Sequence, residues 1–156
     1  TFDQAYSSTS ERACDTLELV TDLPYTRLKG LKEWNFGTFE GESEDLNPKL
    51  PYRDFFVNYG GEEEKAFQKR AVEACIDIME NSDNTVNTVL AVTHGAFCGQ
   101  FRKYWDHTSL PEWKYGGKAG IGNCCIFKYE YEGREFRLVE IVNLEVQEER
   151  ISGDGN

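Results

Sequence analysis

Three side chains sit where their type and spacing could do acid–base or anion chemistry. The first is His94, in Val89-Leu90-Ala91-Val92-Thr93-His94-Gly95. Four consecutive apolar residues read as a buried strand, and the pattern from Ala96 to Trp105 reads as a helix, so His94 falls in the tight turn between them. In open α/β sheets, ligands bind at that carboxyl end of a strand. The first backbone N–H groups of the helix, from Gly95, Ala96 and Phe97, have no partner in its own ladder, and with the helix dipole they can receive an anion. Gly95 lets that anion approach closely. The ordinary alternative is a histidine satisfied by a neighbouring loop.

Arg12 is the second. It lies in the first turn of a predicted helix, where the dipole disfavours a cation, so something anionic should compensate. The ordinary alternative is a salt bridge to Glu11, Asp15 or another acid in this acid-rich chain. The third is Glu33, in Leu31-Lys32-Glu33-Trp34-Asn35-Phe36-Gly37. Desolvation by Trp34 and Phe36 would raise its pKa and favour the protonated form that a general acid needs, although most glutamates beside a tryptophan are surface residues.

Other signals fail on spacing. The glycine-rich stretch 116–122 lacks the Gly-x-x-x-x-Gly-Lys-Ser/Thr pattern of a phosphate loop, and no Gly-x-Ser-x-Gly elbow supplies a serine nucleophile. His107 follows Trp105-Asp106 at an expected helix end and reads as a surface charge partner. The five cysteines form no Cys-x-x-Cys pair and are odd in number. They read as reduced packing residues, Cys98 merely lying close to the proposed site, and they suggest a cytoplasmic setting. With two histidines and no Cys/His cluster, no metal site is expected.

Acidic residues outnumber basic ones 28 to 17, for a formal charge of −11. That excess disfavours nucleic acid as a partner. It also repels a small anion at long range, so an anion site must be built from donors that win at short range. No apolar stretch suits a membrane span, and the first residues do not read as a signal peptide.

The elements that must hold these residues follow from local pattern. The 156 residues suit a single domain, here residues 1–150, followed by a polar tail at 151–156. Residues 2–8 read as a short strand. Ser8-Thr9-Ser10-Glu11 then fits a capping box with Ser8 as N-cap, opening a helix with Ala13, Leu17 and Val20 on one face, until Leu23-Pro24 stops it. Residues 25–41 read as an ordered irregular loop with aromatic anchors. Residues 43–59, with Tyr52, Phe55, Phe56 and Tyr59, read as a lid or short helical insertion. Residues 62–80 carry Phe67, Ala71, Ala74 and Ile78 at helical spacing. Strands near 124–131 and 134–142 flank Glu132-Gly133 as a terminal hairpin. Strands interleaved with helices give an α/β fold with a mostly parallel sheet and an antiparallel edge.

Taken together, Tyr6-Ser7-Ser8 with Arg12, Ala13 and Thr16, the block Leu31-Lys32-Glu33 with Gly37 and Glu40-Gly41, and the run from Val89 to Gly95 resemble the histidine phosphatase superfamily, the phosphoglycerate mutase-like proteins. The match looks more like the branch of cofactor-dependent mutases and broad-specificity phosphatases than the acid phosphatase branch. The resemblance implies a three-layer α/β/α fold and phosphoryl transfer from a small phosphorylated metabolite through a phosphohistidine. Arg12 matches the clamp on phosphoryl oxygens, His94 the second histidine of the phosphate pocket, and Glu33 the acid that protonates the leaving oxygen. Gly95 and Ala96 would supply backbone donors. No cofactor is implied, except 2,3-bisphosphoglycerate if the protein is a true mutase. The family's nucleophile lies in an Arg-His-Gly motif on a first strand N-terminal to everything present. Neither His94, after Thr93, nor His107, after Asp106, fits that motif. The resemblance therefore leaves two readings: a chain given without that strand, or an inactive phosphate-binding pseudoenzyme.

Overall fold

A computed structural model describes residues 1–106 and 125–142. Strands β1 (Gln4–Ser8), β2 (Tyr25–Leu28) and β3 (Val89–Val92) form a parallel sheet in the order β2-β1-β3. Ala5 lies opposite Tyr25 on one side and Leu90 on the other. Parallel neighbours need a crossover. Helix α1 (Glu11–Val20) lies between β1 and β2 in the chain, and helix α2 (Glu64–Glu80) lies between β2 and β3. Helix α3 (Gly95–Trp105) leaves β3 directly. Strands β4 (Ile126–Glu132) and β5 (Glu135–Val142) form a separate antiparallel hairpin, which packs on α3 through Tyr129 and Phe136 against Phe101. The mixed α/β architecture with a parallel sheet agrees with the fold expected from the pattern of elements.

Several local expectations are corrected. The N-cap of α1 is Ser10, with no side-chain capping bond, and Ser8 ends β1 with its hydroxyl buried elsewhere. The helix stops at Val20 rather than at Leu23-Pro24, and Val20 is exposed while Ala13 and Leu17 are buried. The expected irregular segment begins with a true strand, β2, whose central Thr26 and Arg27 are exposed. Strand β3 has the expected bounds but is not fully buried: Ala91 is exposed, and no strand among the described residues pairs with its outer side. Residues 107–124 and 143–156 lie outside the described residues. They include His107, the glycine-rich stretch 116–122, Cys124 and the polar tail.

The core sits between α2 and the segment that follows β2. Phe67, Ala71 and Ile78 share one face of α2 at spacings of four and seven, and they meet Leu31, Trp34, Phe56 and Phe97. Gly30 permits the closest approach, because a Cβ there would lie 2.9 Å from the Cβ of Ala74. Gly37 is needed for two reasons. Its φ is +61°, and a Cβ would fall 2.0 Å from the Tyr59 carbonyl oxygen. Short 3₁₀ turns at Gly37–Phe39 and Phe55–Tyr59 then close an aromatic layer in which Phe39, Phe55, Phe56 and Tyr59 pack edge to face. This segment is ordered by aromatic contacts instead of by a strand ladder.

Candidate active site

The end of β1, the start of α1, the loop after β2 and the start of α3 converge. His94 is the N-cap of α3 and is 8 % exposed. Arg12 donates to its Nδ1 from Nε at 3.4 Å, and Nη2 lies 3.2 Å from the same atom. A guanidinium can only donate, so Nδ1 is the acceptor and the neutral ring carries its proton on Nε2. That proton points to the Ser8 hydroxyl, 2.8 Å away. Burial, with the nearby positive charges of Arg12 and Arg70, pushes the His94 pKa down from 6.5 to about 4. The ring is therefore neutral near pH 7. Arg12 does not pair with Glu11, which instead binds Arg27 at 3.0 Å.

Glu33 approaches the same helix end from the loop after β2. Its Oε1 accepts the backbone N–H groups of Trp34 at 2.9 Å and Phe97 at 3.0 Å, and its Oε2 accepts that of Ala96 at 3.0 Å. The first turn of α3 thus holds the Glu33 carboxyl group, and in this structure the Ala96 amide faces that side chain. Gly95 keeps an open approach, since a Cβ there would meet nothing within 4 Å. Burial raises the pKa of Glu33, while the three N–H donors and Arg12 pull it down. Burial is the largest of these influences, so the acid form is favoured relative to a free glutamate. Oε1 accepts two of these donors and Oε2 one, which leaves Oε2 the more open oxygen for a proton.

Arg12, Glu33 and His94, which lie far apart in sequence, are brought to one helix end. Two participants were not read from the sequence. Ser8 was taken for a helix cap, yet its hydroxyl receives His94. Arg70 is not singled out by the sequence reading, yet it donates to the backbone of the Glu33 loop at Gly30, Lys32 and Glu33. The detectable signal was its position, three residues from Phe67 and four from Ala74, at the margin of an apolar stripe where a cation needs acceptors. Among the described residues, no group of His, Cys, Asp and Glu is placed to hold a metal ion, and no helix is long and apolar enough to cross a membrane.

The model of the histidine phosphatase superfamily, branch 1, matches residues 1–144. The chain belongs to that superfamily. It is similar in structure to phosphoglycerate mutase from Bacillus anthracis str. Sterne, with a TM-score of 0.72 and 25 % identity over 90 % of this chain and 72 % of that one. An alpha-ribazole-5'-P phosphatase candidate from Escherichia coli str. K-12 substr. MG1655 shares the fold, with a TM-score of 0.61 and 17 % identity over 92 % of this chain and 73 % of that one. No significant match was found among curated proteins. Membership places the chain in a family of phosphoryl-transfer enzymes.

The depressed pKa of His94 has a consequence for stability. The folded state prefers the neutral ring, so the contribution of His94 is present above pH 6.5 and is lost as pH falls toward about 4. Glu33 works in the opposite sense: its raised pKa favours the protonated form, so its contribution is present below pH 4.5 and is lost as pH rises through its folded value. Comparing the protein with a His94→Asn variant isolates the first effect. Urea unfolding between pH 7 and pH 4.5 should show a steeper loss of stability for the wild type than for the variant. Sulfate should reduce that loss, because an anion beside the ring favours the imidazolium. Equal slopes for the two proteins would contradict the buried neutral histidine.

Proposed function

We propose that the full-length protein is a phosphatase that hydrolyses small phosphomonoesters through a phosphohistidine. The observation that carries this reading is the placement of His94 and the Glu33 carboxyl at one helix end, with Arg12 donating to His94. In this reading the Arg12 guanidinium donates to phosphoryl oxygens, and His94 presents a second donor once an anion shifts its pKa upward. In this reading the nucleophile is a histidine in an Arg-His-Gly motif, which the family resemblance implies and neither His94 nor His107 supplies.

In the first step, the nucleophilic nitrogen forms a bond to phosphorus as the ester P–O bond breaks. Protonated Glu33 gives its proton to the leaving alkoxide. In the second step, water attacks the phosphohistidine, its proton passes to the Glu33 carboxylate, the P–N bond breaks, and inorganic phosphate leaves. Glu33 is restored to its acid form at the end. Arg12 and His94 stabilise the charge on the equatorial oxygens in both steps.

Hydrolysis is favoured over mutase chemistry by the compact loop from Trp34 to Gly41 and by the aromatic segment from Tyr52 to Tyr59. In this reading no cofactor is needed, 2,3-bisphosphoglycerate being required only by a mutase. A small phosphorylated metabolite is the substrate, the cytoplasm is the setting, and neither nucleic acid nor membrane is a partner. The competing reading is an inactive phosphate-binding module. Incubating the full-length protein with a ³²P-labelled phosphomonoester and quenching in alkali separates the two. The expected result is an acid-labile, alkali-stable label with release of inorganic phosphate. Binding without a label or turnover would support the inactive module, and a label transferred to a phosphoglycerate would indicate a mutase.

A further inference from the structure

The guanidinium of Arg70 spends all five of its N–H donors. Nη1 donates to the carbonyl oxygens of Gly30 and Lys32, both at 2.9 Å. Nη2 donates to the Glu33 carbonyl at 3.2 Å and to Glu62 Oε1 at 2.8 Å, and Nε donates to Glu62 Oε2 at 3.0 Å. The group also lies 4.8 Å from the centre of the Phe67 ring. Glu62 then holds the other end of the same loop. Its Oε1 accepts the Asn35 N–H at 3.0 Å, its carbonyl oxygen accepts the Trp34 indole N–H at 2.9 Å, and its own N–H donates to the Asn35 carbonyl oxygen at 2.8 Å. Among the described residues, no strand pairs with the backbone around Glu33. Its carbonyls converge on one planar fork while the carboxyl of Glu33 reaches forward to α3.

We propose that Arg70 and Glu62 form the positioning pair for the Glu33 proton donor, holding its backbone from behind so that its carboxyl stays seated on the Ala96 and Phe97 amides. The inference rests on the role of Glu33 proposed above. Geometry gives the pair its specificity: a guanidinium offers five coplanar donors, whereas an ammonium offers three that cannot meet three carbonyls and a bidentate carboxylate together. Arg70→Lys therefore retains charge and most of the stem but releases part of the loop. Glu62→Gln keeps the shape but removes the charge that orients the fork. Neither residue hydrogen-bonds to Arg12 or His94, and Arg70→Lys keeps the positive charge that bears on His94, so the effect of that variant runs through Glu33.

The test uses the full-length protein and two readouts. Amide hydrogen exchange should become roughly tenfold faster at Ala96 and Phe97 in Arg70→Lys, with Leu17 in α1 unchanged, because only local opening is affected. For an alkyl phosphate, kcat should fall by about 10²-fold with little change in KM, as expected for a misplaced reacting group, while an activated aryl phosphate is nearly unaffected. If Arg70→Lys does not fold, Glu62→Gln should show the same pattern at smaller amplitude. Unchanged protection at Ala96 and Phe97 in the folded variant, or equal kinetic losses on both esters, would overturn the positioning role. If the wild type turns over neither ester while exchange at Ala96 and Phe97 still accelerates in the variant, the pair positions Glu33 and the phosphatase reading fails instead.

Discussion

Glu33→Gln in the full-length protein is expected to slow hydrolysis of an alkyl phosphate by roughly 10²- to 10⁴-fold, the span usual for losing a general acid, and that of an activated aryl phosphate by far less. The amide preserves size and can still accept the Phe97 and Trp34 N–H groups through its oxygen. Its NH₂ group, however, would face the Ala96 N–H, donor against donor, and it has no proton to deliver at working pH. A good leaving group departs without protonation, so only poor ones register the loss. The measurement is kcat/KM for a series of phosphomonoesters of rising leaving-group pKa, in which the variant should show the steeper slope. Parallel slopes would remove Glu33 from the acid role. Dephosphorylation should slow as well, since the same carboxyl takes the proton from water.

Trp34→Ala carries the largest expected effect on stability. The indole is 2 % exposed and touches four rings: it stacks on Phe67 at 5.2 Å and Phe36 at 5.7 Å, and meets Tyr52 and Phe56 edge on. Truncation leaves a cavity in a layer already short of regular backbone pairing and removes the donor to the Glu62 carbonyl. A loss of about 3–5 kcal/mol is expected, a large part of the roughly 5–15 kcal/mol available to a domain. Urea unfolding of the full-length variant measures it, with Trp34→Phe as the control that keeps most of the packing. A loss under about 1 kcal/mol would mean that the aromatic layer can collapse around the gap.

The strand, turn and helix around His94 were legible because three signals coincide there: four apolar residues, a glycine, and a 3.6-residue period immediately after. Helix α2 was legible for the same reason of length and period. Strand β2 was not, since Tyr25–Leu28 offers only four residues, two of them exposed. Ser8 was misread because a serine three residues before a glutamate satisfies a capping template whether it stands at a helix start or at a strand end. Of the site, the side chains with unusual chemistry were found and their partners were not. The pairing of Glu33 with the Ala96 and Phe97 amides joins residues more than 60 positions apart, and no local pattern encodes such a contact. The family motifs supplied roles, and the geometry supplied the atoms.

The seating of Glu33 on α3 makes that helix a mechanical gauge. His94 is its N-cap, and the carboxyl of Glu33 is pinned two and three residues further on. The spacing between the Glu33 carboxyl and His94 is therefore spanned by a single turn of one element. Under the roles proposed above, the distance the proton must travel is fixed inside one helical turn, beside the N-cap histidine.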